Sequence, residues 1–349
     1  KDVHLSLLFR LSYSDAFGKV GPHPHYGGQL QPQSISKFPA EGKVRVRFKR
    51  IKGQFADGQE YELTSPIYEF HSLNFGDLLT NTTISPRVAP QIIGLGLIDS
   101  LSDESIASFA DPNDDDDDGI SGKVSLVSSK IIENRKVGRF GWRAEQASLK
   151  EQNAAAFNGD IGITSYLHPK EDCPPIQEKC HKQKHGDQFE LSKKLLDRVS
   201  TYTKLLSVPK RRNPNDPSVI RGEKIFNQIN CQSCHRPSYT TEYVEKHASL
   251  SEQKIYPYSD FLLHDMGEEL ADINSNGEEK SREWRTPPLW GLGLIPVVNK
   301  HSRLLHDGRA RNFTEAIIWH GGEAQKSKQE FIKLTRQERN DLINFLKDL

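Results

Sequence analysis

The sequence is poor in sulfur. Met266 is its one methionine, and its four cysteines are Cys173, Cys180, Cys231 and Cys234. Four thiols in 349 residues do not make a disulfide-built scaffold. An excess of either charge is also missing. Lys+Arg and Asp+Glu both number 47, so nothing global favours nucleic acid or an anionic membrane as partner. No apolar run approaches the roughly 18 residues that a membrane span needs. No basic–apolar–small leader stands at Lys1, so any export signal is expected to lie outside this sequence. The apolar fraction of 35% suffices for cores but leaves room for long polar loops. The length predicts two domains.

Of what is present, alternation comes first. Val3, Leu5, Leu7, Phe9, Leu11 and Tyr13 share one parity, the signature of a half-buried strand. Val44, Val46 and Phe48 alternate with Lys43, Arg45 and Arg47, and Asp57-Gly58 supplies a tight turn into a partner strand over Gln59–Phe70. Ala89–Ala110 reads as a helix, followed by an acidic run at 114–118. Ser148-Leu-Lys-Glu151 is a capping box that opens another helix. Residues 168–190 read as a loop, and Leu195–Leu206 as a helix. The stretch 208–218, rich in Pro and charge, is the expected domain boundary. A helix over Val219–Asn230 then runs into Cys231, and residues 238–283 are polar and irregular. Thr314–His320 reads as a helix stopped by Gly321-Gly322, and Thr335-Arg-Gln-Glu338 caps a last one. The expected fold is α+β: a mixed α/β domain over 1–207 and a mainly α domain over 208–349.

Cys231-Gln-Ser-Cys234-His235 carries the chemistry. Two thiols one helical turn apart can add to the two vinyl groups on one porphyrin edge, and the next residue then presents its imidazole to the iron. A redox dithiol and half of a zinc site, completed by Cys173 and Cys180, are the alternatives. The run Asp114, Asp116, Asp118, Gly119 has the spacing that opens a calcium loop, with the Ile120 carbonyl next. Position 12 of that loop is Ser125 rather than Glu, so a solvated acidic loop remains the alternative. Cys173 and Cys180 are close enough in sequence for a local disulfide. His181 follows Cys180, but a C-x6-C-H spacing cannot grip one haem edge.

Several segments stand in a recognisable order: His23-Pro-His25-Tyr-Gly-Gly-Gln-Leu30, Asp118-Gly-Ile-Ser-Gly122, Gly138-Arg-Phe-Gly-Trp142 and Gly159-Asp-Ile-Gly-Ile-Thr164, then Leu263-His-Asp-Met-Gly267, Glu283-Trp-Arg-Thr-Pro-Pro-Leu-Trp290, Leu305-His-Asp-Gly-Arg309 and Thr314-Glu-Ala-Ile-Ile-Trp-His320. With C-x-x-C-H they resemble the C-terminal haem domain of bacterial di-haem cytochrome c peroxidases, and more fully their relatives, the di-haem oxidoreductases. The resemblance implies haem c, an exported (periplasmic) oxidoreductase of electron-transfer or peroxidase type, and a redox partner protein or small-molecule oxidant. A non-catalytic electron relay and a thiol-disulfide oxidoreductase using Cys231 and Cys234 are the rival functions. Family members are expected to carry a further C-x-x-C-H upstream. None is present here, so the haem of this chain would correspond to the electron-transferring one. Arg285 and Arg309 are candidate partners of haem propionates. His264, Asp265, His306 and Asp307 are candidates for propionate bonds or loop pinning, and Trp284, Trp290 and Trp319 for packing. Beside His235, two residues compete as the sixth iron ligand, Met266 and His320. The resemblance favours His320, which occupies the slot of the peroxidases' distal methionine.

Overall fold

In a computed structural model, residues 7–35, 37–182, 188–274 and 281–349 are described. Val3 and Leu5 of the first alternating run lie outside them. The rest of that run forms the strand Leu7–Ser14, with Phe9 and Leu11 buried. It pairs with Thr82–Val88 and Val20–Gly21, and Ile273–Asn274 extends the far edge, giving a four-stranded antiparallel sheet. Residues far apart in sequence therefore share one sheet.

Lys43–Gln54 and Glu60–His71 form a long antiparallel hairpin around Asp57-Gly58. Its tip is fastened to the C-terminal helix. The Arg339 guanidinium donates to Asp57 Oδ2 at 2.7 Å and Gln59 Oε1 at 2.8 Å, and lies 3.9 Å from the Phe55 ring centroid. Phe55 and Leu63 enter the largest buried cluster, with Phe226, Trp319, Phe331, Leu342 and Phe345. Ile98, Ile106 and Leu149 share a second cluster with Tyr239, Phe261 and Trp290. Both cores draw residues from either side of residue 207.

Ala89–Ala110 is not one helix. Two short helices form instead, Leu95–Asp99 and Asp103–Ala107. Pro90 disfavours the helical region for Ala89, Gly94 sits at φ +68°, and Ser102 starts the second helix by accepting from Ser105 N. Ser148 caps Leu149–Ile161 through Glu151 N, and Thr335 and Glu338 form a complete capping box on Arg336–Asp348.

The helix Pro217–Gln228 packs across Arg336–Asp348. Only glycine fits the crossing point. A Cβ at Gly222 would lie 2.1 Å from the Asp341 carbonyl oxygen. No helix among the described residues is long and apolar enough to cross a membrane.

Candidate functional site

The helix Pro217–Gln228 starts on Asp216, whose side chain accepts from Ser218 N at 2.7 Å, with proline in the first turn. Val219, Gly222, Ile225 and Phe226 form its buried stripe. Asn230 takes a left-handed φ of +65° and turns the chain into a 3-10 turn, Cys231–Ser233. His235 N then donates to Cys231 O at 3.0 Å. Residues 258–260 run beside this motif and clamp it. Ser259 N donates to Arg236 O and Asp260 N to Cys234 O, each at 2.9 Å.

His235 shares the clamp. Its Nδ1–H donates to Tyr258 O at 2.9 Å, which leaves Nε2 without a described hydrogen-bond partner. Burial pulls its pKa down to about 4, so the ring is neutral and Nε2 keeps its lone pair. His320 repeats the arrangement. It ends the helix Phe313–Trp319, its Nδ1–H donates to Ala316 O at 2.7 Å, and burial lowers its pKa. Fixing Nδ1 on a carbonyl is how a metal-binding imidazole is usually oriented. Both rings line one cavity with Cys231 and Cys234, and a positive charge on His320 would be felt at His235.

The cavity measures about 2650 Å³, well beyond the 300–1,000 Å³ typical of small-ligand pockets. Met266 lines it too, just across from the turn after His320. A Cβ at Gly321 would sit 3.0 Å from Met266 O, and one at Gly322 would sit 2.2 Å from Asp265 O. The fold thus brings both candidate sixth ligands to the same wall. Arg285 is buried there, with Nε donating to Gly141 O and Nη1 to Thr286 O, and no partner described for Nη2. Arg309 instead donates to Asp307 Oδ2 at 2.8 Å and to Glu269 O, and does not line the cavity. Trp284 stacks on His306 with ring centroids 3.7 Å apart, and the Arg143 guanidinium covers its ring at 4.0 Å. Trp290 lines the cavity, whereas Trp319 sits in the main core.

Cys231 and Cys234 are free. Burial, with Cys234 beside it, pushes the Cys231 thiol up to about 12. Burial also raises Cys234, opposed by His264. A working dithiol needs a lowered pKa, so these thiols are poor redox nucleophiles. Cys173 and Cys180 form a disulfide and cannot complete a zinc site. Asp172 Oδ2 accepts Gly28 N at 2.7 Å, and Gln177 Nε2 donates to His25 O at 3.0 Å, so the bridged loop is docked on the His23–Leu30 segment.

Three residues here were not singled out in the sequence: Tyr258, Asp260 and Glu323. Tyr258 acts on His235 through its carbonyl, which leaves no motif, and the Asp260 carboxylate meets His264 only in the folded chain. Glu323 only becomes informative once the chain folds back on Leu263–Asp265. His264 lies between two of them, 2.8 Å from Asp260 Oδ2 and 2.6 Å from Glu323 Oε2. Burial opposes a charge on His264, but its bonds to Asp260, Cys234 and Glu323 prevail and push it up to about 12. Although a nitrogen of His264, Cys234 Sγ and an Asp260 oxygen lie within 4.8 Å of one another, the doubly donating ring has no lone pair for a metal.

In the acidic loop, Asp111, Asp114 and Asp116 bring carboxylate oxygens within 4.8 Å of one another. Asp118, the third acid expected there, turns its Oδ1 to its own Ile120 N at 2.8 Å. Asp111 was not foreseen.

Burial makes a pH prediction outside the ligand set. His306 is pulled down to about 3 by burial, and His23 to about 4 by burial and then by His25. For both, the unfolded chain binds protons first, so their contribution to stability is present above roughly pH 6.5 and is lost as pH falls toward the folded values. Urea midpoints of the haem-free chain should fall steadily from pH 7 to pH 4. A flat profile there would contradict the burial of both rings.

The family model described as "di-haem oxidoreductase, putative peroxidase" matches residues 14–349. No curated protein and no solved structure matches the chain. With the match spanning nearly the whole sequence, the chain belongs to the di-haem oxidoreductase family.

Proposed function

We propose that the chain carries one c-type haem, attached through Cys231 and Cys234, ligated by His235 and His320, and used in electron transfer in the periplasm. The observation that carries this reading is the pair of neutral imidazoles in the wall of one cavity. Each has Nδ1 spent on a backbone carbonyl and Nε2 left without a described partner. The residues fit the group: two protonated thiols for attachment, two imidazole lone pairs and one unpartnered Arg285 Nη2 for a propionate. Bound iron supplies one-electron redox chemistry, with a potential set by axial ligands and burial.

The protein's own contribution is orientation and exclusion. Tyr258 O and Ala316 O hold the two rings in the tautomer that presents Nε2. With His235 and His320 both offering a free Nε2, an iron held between them would have no position left for a small oxidant. Electron passage between a redox partner protein and a second centre is therefore favoured over peroxide chemistry at this site. Covalent haem should keep its Soret band after denaturation, whereas a dithiol enzyme has none. Peroxide-dependent oxidation of a donor by the holo chain alone would favour the peroxidase reading instead.

We also propose calcium at the acidic loop, held by Asp111, Asp114 and Asp116. Burial, opposed by Ile120 N, and then repulsion from Asp116 and Asp114 hold the Asp118 carboxyl above its usual range, and a bound cation would reverse the repulsion. Calorimetry should show calcium binding that Asp114→Asn weakens. The absence of any heat at millimolar calcium would remove the site.

A further inference from the structure

His264 is enclosed on every side. It sits in the strand Leu263–Asp265, opposite Trp284 of Glu283–Arg285. Its Nε2–H donates to Asp260 Oδ2 at 2.8 Å and its Nδ1–H to Glu323 Oε2 at 2.6 Å, with Cys234 Sγ 3.6 Å from Nδ1. A Cβ at Gly122 would lie 2.8 Å from its Cε1. The side chains of His264, Asp260 and Glu323 are only 3%, 2% and 9% exposed. Buried ion pairs of this kind often add little net stability compared with apolar packing, and their best-attested use is to specify one arrangement.

The two carboxylates belong to the segments beside the two proposed ligands. Asp260 lies in the segment that clamps the attachment motif, with its N–H on Cys234 O. Glu323 lies in the 3-10 turn Gly322–Ala324, just after His320. Its Oε1 accepts Asp265 N and Ser121 Oγ, each at 3.0 Å, and its Oε2 accepts Ser121 N at 3.1 Å. The same turn presses on Leu263–Gly267 so closely that glycine is required. Gly322 has φ +52°, and its Cβ would lie 2.2 Å from Asp265 O and 2.7 Å from Gly267 N.

We propose that His264 is a positioning residue that ties the attachment segment to the distal turn and so sets the placement of His320 toward the iron. Cutting the tie frees the turn after His320 while leaving His235 on Tyr258 O and both thiols in place. The claim rests on the bis-imidazole reading above.

The test uses full-length holo protein from a maturation-competent host. Three variants are compared with the parent: His264→Leu, Glu323→Gln, which keeps the shape of Glu323, and His320→Ala. Free imidazole is titrated into the ferric protein and followed by its absorption. His264→Leu and Glu323→Gln should bind imidazole at least about tenfold more tightly than the parent, with one covalent haem retained by mass. A merely structural role would lower the melting temperature and leave imidazole affinity unchanged. Affinities within about twofold of the parent in both variants would overturn the proposal. If His264→Leu does not fold, Glu323→Gln decides by the same criterion. His320→Ala separates the two claims. If it gains no imidazole affinity, the distal-ligand reading fails and this inference falls with it. If it gains affinity while the other two do not, this inference alone fails.

Discussion

His320→Ala is expected to convert a low-spin ferric haem spectrum to a high-spin one, while Met266→Ala leaves it low-spin. Both residues reach the cavity wall, so proximity does not decide between them. Their surroundings do. His320 is anchored: its Nδ1–H is held by Ala316 O at 2.7 Å, its helix starts on the Asn312 cap, and the following Gly321-Gly322 turn is pinned against Asp265 and Met266. Met266 also packs against the main apolar cluster, where a flexible thioether serves as filler. Bis-imidazole ligation should give a lower potential than imidazole–thioether ligation. A helix C-terminus favours a cationic imidazole, whereas burial holds the His320 ring neutral, so the dipole does not account for its place there. If Met266→Ala alone gives the high-spin spectrum, the ligand is Met266 and the peroxidase-like alignment of the Phe313–Trp319 helix is wrong.

Gly222→Val should be among the most damaging single changes in the chain. A Cβ there meets a backbone carbonyl, Asp341 O at 2.1 Å, and also approaches Phe345 Cβ at 2.8 Å. Neither neighbour is a flexible side-chain end, so the helices Pro217–Gln228 and Arg336–Asp348 must separate. Overpacking usually costs about 1–3 kcal/mol, and separating this pair also opens the core around Phe226, Leu342 and Phe345, so the loss should exceed that range. The effect should reach the site through Glu223, which accepts the Tyr258 hydroxyl at 3.0 Å, because Tyr258 O orients His235. Urea unfolding should show a large fall in midpoint. An unfolding free energy within about 1 kcal/mol of the parent would mean that the crossing is looser than described.

Local signals carried far into the structure where one residue type does one job. The hairpin turn at Asp57-Gly58, the Ser148 and Thr335 caps and the Gly321-Gly322 stop all lie where their chemistry predicts. The Ala89–Ala110 helix failed because apolar residues at Ile92, Ile93, Leu95, Leu97 and Ile98 do not outweigh Pro90 and Gly94. Ile92 remains about half exposed. The helix Gln325–Lys333 was not foreseen, since it is mostly polar and buries only Phe331. At the site, Cys231, Cys234 and His235 stand out in the sequence because C-x-x-C-H is the spacing that haem attachment would demand, and the structure sets all three on one cavity. Asp260, Glu323 and the carbonyls of Tyr258 and Ala316 are not legible. Their roles arise from strands and turns meeting across long sequence separations, and a backbone acceptor has no residue preference. The same limit explains Arg309, whose guanidinium is taken by Asp307 and Glu269 O, a pairing that sequence order does not reveal.

The most direct test of the central claim is the intact mass of the chain, expressed in a host shown to mature another c-type cytochrome and then denatured without reduction. A single haem adduct, with no alkylatable thiol left at Cys231 or Cys234, is the predicted result. An unmodified mass with both thiols free would contradict the account.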